Sequence, residues 1–485
     1  MKITVNTQKC NGVYSDPTRW QNSTLRYAPP QDFPEFLKGR VGAAKIMRVW
    51  ITLDEFYDLN TKEFFPDYDI GVARYPVEER HYPYDWKSVR PAPSGTRFRA
   101  FIKSHSDAAE ELLLNVRRFE REVSDGVMSY EEYEQVFEKA VEYCKELAPN
   151  IGYIECCNET DIDAFGNLTP EEYVPIYLCA YRAVKRLNEK HNYPLPLKIG
   201  GYAAAHPINN FKCVEGIMTL LSQSEIGDAP MDFYSYHHYE IPVCAHMIEA
   251  GMIEESYLSP VEKLRYLVAS HRELIKKLGL PERPIFLNEI GTARATGKKV
   301  DSLMNASFLI SFLLAYESKG LEGVLMSPWC TFHNPNLQIS YTQYILADDG
   351  TYKATPNGLA VEMLHNIAGY DRLEYSIDKC KSQDGDFCGV AVRNGAEITV
   401  IATNTSSGTE ACELELLGLE DGEYTVEKYL ITRAKNNVVT GNGTGSLSVT
   451  AEAEMLSDGG RAYICDALEP HNIVKYQIKL KRTES

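Results

Sequence analysis

Two glutamates of this 485-residue chain each follow an asparagine at the end of a strand-like apolar run. Glu159 ends a run over Ile151–Asn158, and Glu289 ends a run over Pro284–Asn288. In a barrel of parallel strands, residues just past the strand ends converge on one open face. Two carboxylates delivered there can act as general acid/base and as nucleophile on a glycosidic bond. A single glutamate at a strand end more often forms a salt bridge or a helix cap, and the matched Asn–Glu context favours catalysis.

The two glutamates are predicted to take different roles. Glu159 is the candidate acid/base, because it ends a buried strand and can still reach a glycosidic oxygen. Glu289 is the candidate nucleophile, which would attack the anomeric carbon and form a glycosyl-enzyme intermediate that water then hydrolyses. The distance between the two carboxyl groups does not follow from their separation along the chain.

Two polar residues are candidates to support this pair. Asn158 can place its amide on the 2-hydroxyl of a sugar, or it can cap the backbone. Arg48 lies inside an apolar strand, and a buried arginine needs a carboxylate partner. Glu289 is the natural partner, which would keep the nucleophile ionised. An unrelated structural ion pair is the alternative for Arg48.

The segment around His237 and Tyr239 contributes a second group of candidates. Side chains alternate along a strand, so these two residues share a face that His238 does not. Tyr239 could then hydrogen-bond the nucleophile. A metal site that includes His246 is the rival interpretation, but adjacent histidines are poor co-ligands on a strand and no further ligand has suitable spacing. The sequence therefore predicts no metal centre.

The segment around Trp329 supplies the remaining candidates. Trp329 ends an apolar run and could form a platform under a sugar ring or pack in the core. His333, Asn334 and Asn336 follow it as candidate specificity residues. The chain has no glycine-rich phosphate loop, no nucleophile-elbow serine motif and no zinc-type cysteine pair. No cofactor is predicted.

Alternating strand-like and helix-like segments place these residues. The predicted strands are Ile3–Thr7, Ala44–Leu53, Glu111–Arg117, Ile151–Cys157, Leu197–Tyr202, Met231–Tyr239, Pro284–Asn288 and Gly323–Trp329. The predicted helices are Tyr130–Leu147, one opening at Thr169–Glu172, Pro207–Leu221, Pro260–Leu278, Ser302–Lys319 and Pro356–Ile367. Eight strands that alternate with helices predict an α/β fold, a (β/α)₈ barrel over residues 1–367.

Two regions depart from this alternation. Residues 60–106 form a long insertion after the second strand, rich in Tyr, Pro, Arg and Asp, which is predicted either to cover the site as a rim or lid or to be a surface excursion without a role. From residue 368 to 485, short alternating runs are separated by Gly, Asn, Asp and Ser clusters. The runs are Phe387–Arg393, Glu397–Asn404, Tyr424–Ile431, Ser446–Val449 and Ile473–Lys479. That pattern predicts an antiparallel β-sandwich.

Composition indicates which partners the chain can bind and which cellular compartment it occupies. A formal net charge of -18 argues against nucleic acid, because phosphate binding needs clustered Lys and Arg. No apolar run reaches the length of a membrane span, and the N-terminal residues lack the apolar core of a signal peptide. The 12 scattered cysteines favour a reduced, cytoplasmic protein. Asn158-Glu159-Thr160 is an N-glycosylation triplet, and in a eukaryotic secreted protein a glycan there would block the proposed site. The triplet therefore favours a cytoplasmic, bacterial protein. The sequence leaves open whether the chain forms a homo-oligomer.

Several of these motifs resemble one known group of enzymes. Asp232-Phe233-Tyr234-Ser235-Tyr236-His237-His238-Tyr239 resembles an Asp-Phe-x-Ser-x-His-x-Tyr pattern, and Asn158-Glu159 resembles the start of an Asn-Glu-Pro signature. Arg48, Glu289 and Trp329 match the arginine, glutamate and tryptophan expected at the second, seventh and eighth strands. The group is the clan A glycoside hydrolases, and within it family 39, which includes β-xylosidases and α-L-iduronidases.

Membership of family 39 would imply retaining hydrolysis of a small carbohydrate substrate, and we expect exo-action on short oligosaccharides or glycosides. Three residues depart from the family pattern. Thr160 replaces the signature proline, Ile290 replaces a frequent tryptophan, and Trp50 stands where the family usually has a histidine that contacts substrate. These departures leave two alternatives open: a carbohydrate-binding pseudoenzyme, and a neighbouring clan A family with another sugar specificity.

Overall fold

A computed structural model of the chain describes residues 2–23, 30, 32–75, 95–162, 165–205, 207, 211–227, 231–240, 259–292, 301–316, 318–329, 331–332, 339–378, 387–406 and 408–481. Its strands are β1 (Lys2–Val13), β2 (Trp20–Asn22), β3 (Ala44–Thr52), β4 (Tyr57–Asp58), β5 (Glu63–Phe64), β6 (Ala109–Arg117), β7 (Ile151–Cys156), β8 (Lys198–Ala204), β9 (Tyr234–Glu240), β10 (Ile285–Thr292), β11 (Val324–Pro328), β12 (Tyr344–Leu346), β13 (Tyr352–Ala354), β14 (Asp371–Asp378), β15 (Phe387–Asn394), β16 (Glu397–Asn404), β17 (Glu410–Leu417), β18 (Gly422–Ile431), β19 (Ala451–Ser457), β20 (Arg461–Leu468) and β21 (Ile473–Leu480). Its α-helices are α1 (Phe33–Val41), α2 (Leu53–Phe56), α3 (Phe98–Asp107), α4 (Glu120–Ser124), α5 (Tyr130–Leu147), α6 (Pro170–His191), α7 (Phe211–Ser222), α8 (Pro260–Leu278), α9 (Ser302–Ala315) and α10 (Pro356–His365).

Eight parallel strands form the barrel in the order β2-β3-β6-β7-β8-β9-β10-β11. The two end strands, β2 and β11, meet where the Thr331 N–H donates to the Asn22 carbonyl at 3.2 Å, which brings the sheet nearly to closure. Every residue of β10 is buried, as expected for a strand covered on both faces. The predicted (β/α)₈ barrel is therefore confirmed, and β7 and β10 are its fourth and seventh strands.

The predicted helix starts are also found in the structure. Thr169 and Ser259 each accept a hydrogen bond from the backbone three residues on, and the glutamate there bonds back, which completes a capping box before α6 and α8. Ser129 caps α5 through the Glu132 N–H, and α5 has the predicted bounds. Other ends differ by a few residues: α7 ends at Ser222 and α9 ends at Ala315. Residues 208–210, in the predicted first turn of α7, lie outside the described residues.

The prediction that Ile3–Thr7 begins the barrel is wrong. The strand Lys2–Val13 pairs antiparallel with β14 and parallel with β17, in the C-terminal sheet. Its start alternates between half-buried and buried residues, which suits a sheet with one exposed face rather than a barrel interior. The first barrel strand is instead the three-residue segment Trp20–Asn22, which is too short to show a recognisable pattern.

The C-terminal β region is one mixed, hydrogen-bonded sheet of nine strands in the order β19-β18-β21-β16-β15-β14-β1-β17-β20, in which β1 and β17 are parallel. The antiparallel β-sandwich expected for residues 368–485 stays a prediction, because the described strands form a single sheet. The strands at its two ends, β19 and β20, are consecutive in the chain and separated by a short turn, so the sheet curls until its edges approach. It encloses a second apolar core that includes Val5, Leu414 and Ile478. The predicted strand Ser446–Val449 is wrong, because the strand in this region is Ala451–Ser457. The boundary between residues 367 and 368 stays a prediction.

Part of the predicted insertion 60–106 lies in the described residues. It includes β5, which pairs with β4 in a short hairpin, and the helix α3. Residues 76–94, which would form most of a rim or lid, lie outside the described residues. No helix in the described part of the chain has both the length and the apolar character needed to cross a bilayer. No disulfide joins cysteines of the described part.

Among the buried histidines, His105 and His271 lie outside the candidate site and make the stability of the fold depend on pH. Burial lowers the pKa of His105 to about 4 and that of His271 to about 3, from an ordinary 6.5. Below pH 6.5 the unfolded chain therefore binds more protons than the folded protein, and stability falls towards pH 4 by about 1.4 kcal/mol per pH unit for each histidine. We expect His271→Phe to flatten this slope in urea unfolding between pH 6.5 and 4.5. The surface variant His191→Gln is the control, and an unchanged slope in His271→Phe would contradict the prediction.

Candidate active site

An apolar layer closes the barrel interior below the candidate site. Trp20, Ile46, Leu113, Phe233 and Phe286 form this layer, and all five are buried. Inward-facing side chains recur every second residue along a strand. The next inward positions towards the carboxyl ends of the strands are therefore polar and charged, and the apolar layer supports them from beneath.

Arg48 is the centre of the polar layer and is 1% exposed. Its Nη1 donates to Glu289 Oε1 at 2.6 Å, and its Nη2 donates to Asn158 Oδ1 at 2.6 Å. Its Nε donates to Glu155 Oε2 at 2.8 Å. The partnership with Glu289 matches the sequence prediction, and one guanidinium connects barrel strands β3, β7 and β10.

Glu155 is a second carboxylate on Arg48 that the sequence analysis missed. It is fully buried in β7, and it also accepts hydrogen bonds from Asn115 Nδ2 at 2.7 Å and from Asn288 Nδ2. Burial works to raise the pKa of Glu155, but Arg48 beside it holds the pKa below its usual value. The available signal was a charged residue inside the apolar run of β7, four residues before Glu159.

Glu289 is held by donors on both of its oxygens. Oε1 accepts from Arg48, and Oε2 accepts from the Tyr239 hydroxyl at 2.5 Å. Burial raises the pKa of Glu289 above 4.5, while the charge of Arg48 and the hydrogen bond from Tyr239 act against that rise. Arg48 was expected to keep this carboxylate ionised. The pKa of Glu289 is nevertheless raised, because burial outweighs the charge of Arg48, which Glu155 also shares.

Glu159 lies opposite, on the turn that follows β7. Its φ of +48° is a left-handed conformation that few residues other than glycine adopt, and its N–H is anchored on the Ala203 carbonyl at 2.9 Å. Its Oε1 lies 2.7 Å from His237 Nδ1. Burial lowers the pKa of His237 to about 4, so the imidazole is neutral at neutral pH. The Glu159 side chain is 12% exposed and Glu289 is 4% exposed, so the two carboxylates sit in different environments.

The two carboxylates and one imidazole converge on a small volume. One oxygen of Glu159, one oxygen of Glu289 and a ring nitrogen of His237 all lie within 4.8 Å of one another. Three such groups are also within reach of a divalent cation. The positive charge of Arg48 beside Glu289 disfavours a cation there, and the absence of a metal centre stays a prediction.

Aromatic side chains surround this volume. The Trp50 ring lies 5.1 Å from the Arg48 guanidinium carbon, so the departure from the family's histidine falls next to the centre of the polar layer. Trp329 packs edge-on against Tyr239 at 6.1 Å and against Tyr341 at 5.0 Å between ring centroids. His238 packs edge-on against Phe312, away from the site, as alternation predicts.

The structure thus brings together eight of the nine predicted site residues. They are Arg48, Trp50, Asn158, Glu159, His237, Tyr239, Glu289 and Trp329. His333, together with Asn334, Asn336 and His246, lies outside the described residues. Proximity does not test the roles assigned to these side chains, which stay predictions.

Removing the guanidinium should strongly destabilise the protein. In Arg48→Met, Glu155 and Glu289 lose their buried counter-charge, and breaking such a pair costs about 3–5 kcal/mol. The loss in free energy of unfolding should be smaller at low pH, because protonation of Glu155 and Glu289 removes the uncompensated charge. Guanidinium unfolding at pH 7 and pH 5 measures both effects. Arg40→Met is the control, since Arg40 pairs with Glu362 at the edge of the barrel and is one-third exposed. A deficit of less than about 1 kcal/mol in Arg48→Met would contradict the expectation.

Neither a family model nor a curated protein matches the sequence. Solved structures match it over almost the whole chain. A monomeric β-xylosidase from Caulobacter crescentus is 14% identical, with 99% of this chain and 100% of that chain covered and a TM-score of 0.62. A GH39 enzyme from Xanthomonas axonopodis pv. citri is 13% identical, with 99% and 97% covered and a TM-score of 0.61. A GH51 arabinofuranosidase from the same organism is 14% identical, with 99% of both chains covered and a TM-score of 0.60.

These matches define the class of fold to which the chain belongs. It shares its fold with these glycoside hydrolases over nearly its whole length, so the predicted resemblance is confirmed at the level of the fold. A GH39 and a GH51 enzyme match with nearly equal TM-scores, so the fold alone does not choose between sugar specificities.

Proposed function

We propose that this protein is a retaining glycoside hydrolase that acts by double displacement. The observation that carries the proposal is the approach of Glu159 and Glu289 from the ends of the fourth and seventh barrel strands, with oxygens within 4.8 Å. Retaining enzymes hold their two carboxyl groups about 5–5.5 Å apart, whereas inverting enzymes need about 6.5–9.5 Å to admit a water molecule between acid and base. The close approach favours retention.

In the first step, Glu289 Oε2 or Oε1 would attack the anomeric carbon and the bond to the leaving oxygen would break. Glu159 would give its proton to that oxygen, so the leaving group departs as a neutral alcohol. His237 is neutral and hydrogen-bonded to Glu159, and it would hold the acid in position. Arg48 and Tyr239 would position the attacking carboxylate through the hydrogen bonds that they donate to it.

In the second step, Glu159 is ionised and would accept a proton from water. The resulting hydroxide equivalent would attack the anomeric carbon, and the bond to Glu289 would break to release the sugar and restore the carboxylate. Asn158 fits the role of a contact to the sugar 2-hydroxyl. Its Oδ1 is fixed by Arg48, and no described residue accepts a hydrogen bond from its Nδ2.

The proposed substrates are short oligosaccharides or glycosides cleaved from one end, with a β-xylosidase-like preference. The β-xylosidase among the similar structures supports this sugar class, and the predicted cytoplasmic setting would supply small imported substrates. A panel of nitrophenyl xylosides, arabinosides, glucosides, galactosides and glucuronides tests the proposal. Release of nitrophenol from the xyloside, with retained configuration in the first-formed sugar, is the expected result.

A carbohydrate-binding pseudoenzyme is the second candidate. It is favoured by Trp50, which fills a position next to Arg48 where the family usually has a polar residue that contacts substrate. The same panel separates the two candidates. A pseudoenzyme would show a rise in melting temperature with a sugar but release no nitrophenol from any glycoside, and that outcome would overturn the proposed hydrolase.

A further inference from the structure

We propose that Glu155 is a positioning residue, which fixes Arg48 in the orientation that links Asn158 to Glu289 and shares the charge of Arg48 with Glu289. This inference deepens the proposed function and rests on it. Glu155 is not a catalytic residue, because it is fully buried and both of its oxygens accept hydrogen bonds from side chains inside the barrel.

Side chains from three other strands hold both oxygens of Glu155. Oε2 accepts from Arg48 Nε at 2.8 Å, lies 2.7 Å from Arg48 Nη2, and also accepts from Asn115 Nδ2 at 2.7 Å. Oε1 accepts from Asn288 Nδ2, and the Asn288 carbonyl in turn accepts from Asn22 Nδ2 at 2.8 Å. Barrel strands β3, β6 and β10 therefore all hold this one carboxylate of β7, and β2 holds the backbone of Asn288.

A fixed Glu155 determines where Arg48 points. The guanidinium is planar, and its nitrogens form a rigid fork. Once Nε and Nη2 are held by Glu155, the direction of Nη1 is set, and Nη1 is the nitrogen that meets Glu289 at 2.6 Å. The same constraint directs Nη2 at Asn158 Oδ1. One buried glutamate thus orients both the candidate nucleophile and the candidate 2-hydroxyl contact.

Glu155 also affects the protonation of Glu289, because both carboxylates share the charge of Arg48. One arginine serves two buried carboxylates, so the attraction that Glu289 experiences is divided. The titratable or charged side chains that face Glu289 are Arg48, Glu159, His237 and Tyr239, and Glu155 binds the same Arg48 guanidinium. Replacing Glu155 with a neutral residue would leave Arg48 to Glu289 alone and would remove a like charge nearby. Both changes favour the ionised form of Glu289 and should make it a weaker nucleophile.

The test is Glu155→Gln, which keeps the shape and removes the charge. We expect kcat/KM for an aryl glycoside to fall about 10-fold or more, and the acid limb of its pH profile to move down by about one pH unit. Glu362→Gln is the matched control. Glu362 is also buried and accepts from Arg40 Nε and Nη2 at 2.9 and 2.8 Å, but it lies on the outer helix α10. It should lose stability and keep the wild-type acid limb.

A charge-conserving variant covers the case in which Glu155→Gln does not fold. Glu155→Asp keeps the charge but shortens the side chain by one methylene, so kcat should fall while the acid limb stays in place. Wild-type kcat in Glu155→Asp, or an unmoved acid limb in folded Glu155→Gln, would overturn the inference. If the wild-type enzyme hydrolyses glycosides, neither of these two results would contradict the proposed function.

A measurement without turnover separates the inference from the proposed function. Carbon-13 NMR of protein labelled at the glutamate carboxyl carbons can follow the titration of Glu289, assigned by its absence in Glu289→Gln. The midpoint should be lower in Glu155→Gln than in the wild type and unchanged in Glu362→Gln. An equal midpoint in all three proteins would overturn the shared-charge inference even if no glycoside is hydrolysed.

Discussion

Glu289→Ala is expected to lose hydrolytic activity by on the order of 10⁴-fold or more, because no covalent intermediate can form without the carboxylate. Azide should restore turnover of an activated aryl glycoside, since the truncated side chain leaves room for a small anion on the side of the sugar opposite the leaving group. The product should be the glycosyl azide of inverted configuration. Its stereochemistry by proton NMR is the measurement.

Glu289→Gln provides a matched comparison. It keeps the volume of the side chain and leaves no room for azide, so it should be inactive and resist rescue. Unfolding measurements on both variants exclude a trivial loss of structure. Full activity of Glu289→Ala on every glycoside that the wild type cleaves would remove Glu289 from the mechanism.

Glu159→Ala should show a loss that depends on the leaving group. General acid catalysis contributes about 10²–10⁴-fold, and a dinitrophenolate leaves without protonation. The first step should therefore survive for a dinitrophenyl glycoside and fail for an alkyl glycoside. Azide should accelerate the second step and give a glycosyl azide of retained configuration, opposite to the Glu289→Ala product.

The pH profile offers a second readout for Glu159. If it is the acid, the basic limb of kcat/KM should disappear in Glu159→Ala, while the acid limb, assigned to Glu289, should remain and move to lower pH, because the Glu159 charge helps to raise the pKa of Glu289. An equal loss for good and poor leaving groups, with both limbs intact, would contradict the acid/base role. His237→Asn is a useful comparison, because it weakens the support of Glu159 without removing the carboxyl group.

The barrel was predictable from sequence because its strands are long apolar runs and its helices begin with side-chain caps. The strands β3, β6, β7, β8, β9, β10 and β11 all overlap their predicted runs. The prediction for Ile3–Thr7 was wrong because an amphipathic strand has the same local sequence pattern whether it pairs in a barrel or in another sheet. Only long-range pairing, here with β14 and β17, decides between them.

The candidate site was predictable where its residues are neighbours in sequence at the end of one strand, as at Asn158-Glu159 and His237-His238-Tyr239. Glu155 was not, because a lone glutamate inside an apolar run gains meaning only from partners on other strands. Asn115 lies 40 residues from Glu155 in the chain and Asn288 lies 133 away. Their convergence is a property of the closed barrel and leaves no local pattern.

Covalent trapping tests the central claim most directly. A 2-deoxy-2-fluoro glycosyl fluoride of the preferred sugar should form an intermediate that turns over slowly, because the fluorine destabilises both transition states while fluoride leaves readily. We predict a mass increase of one glycosyl group, with the modified peptide containing Glu289. A label on any other carboxylate would contradict the assignment. An unlabelled enzyme that releases a sugar of inverted configuration would contradict the mechanism itself.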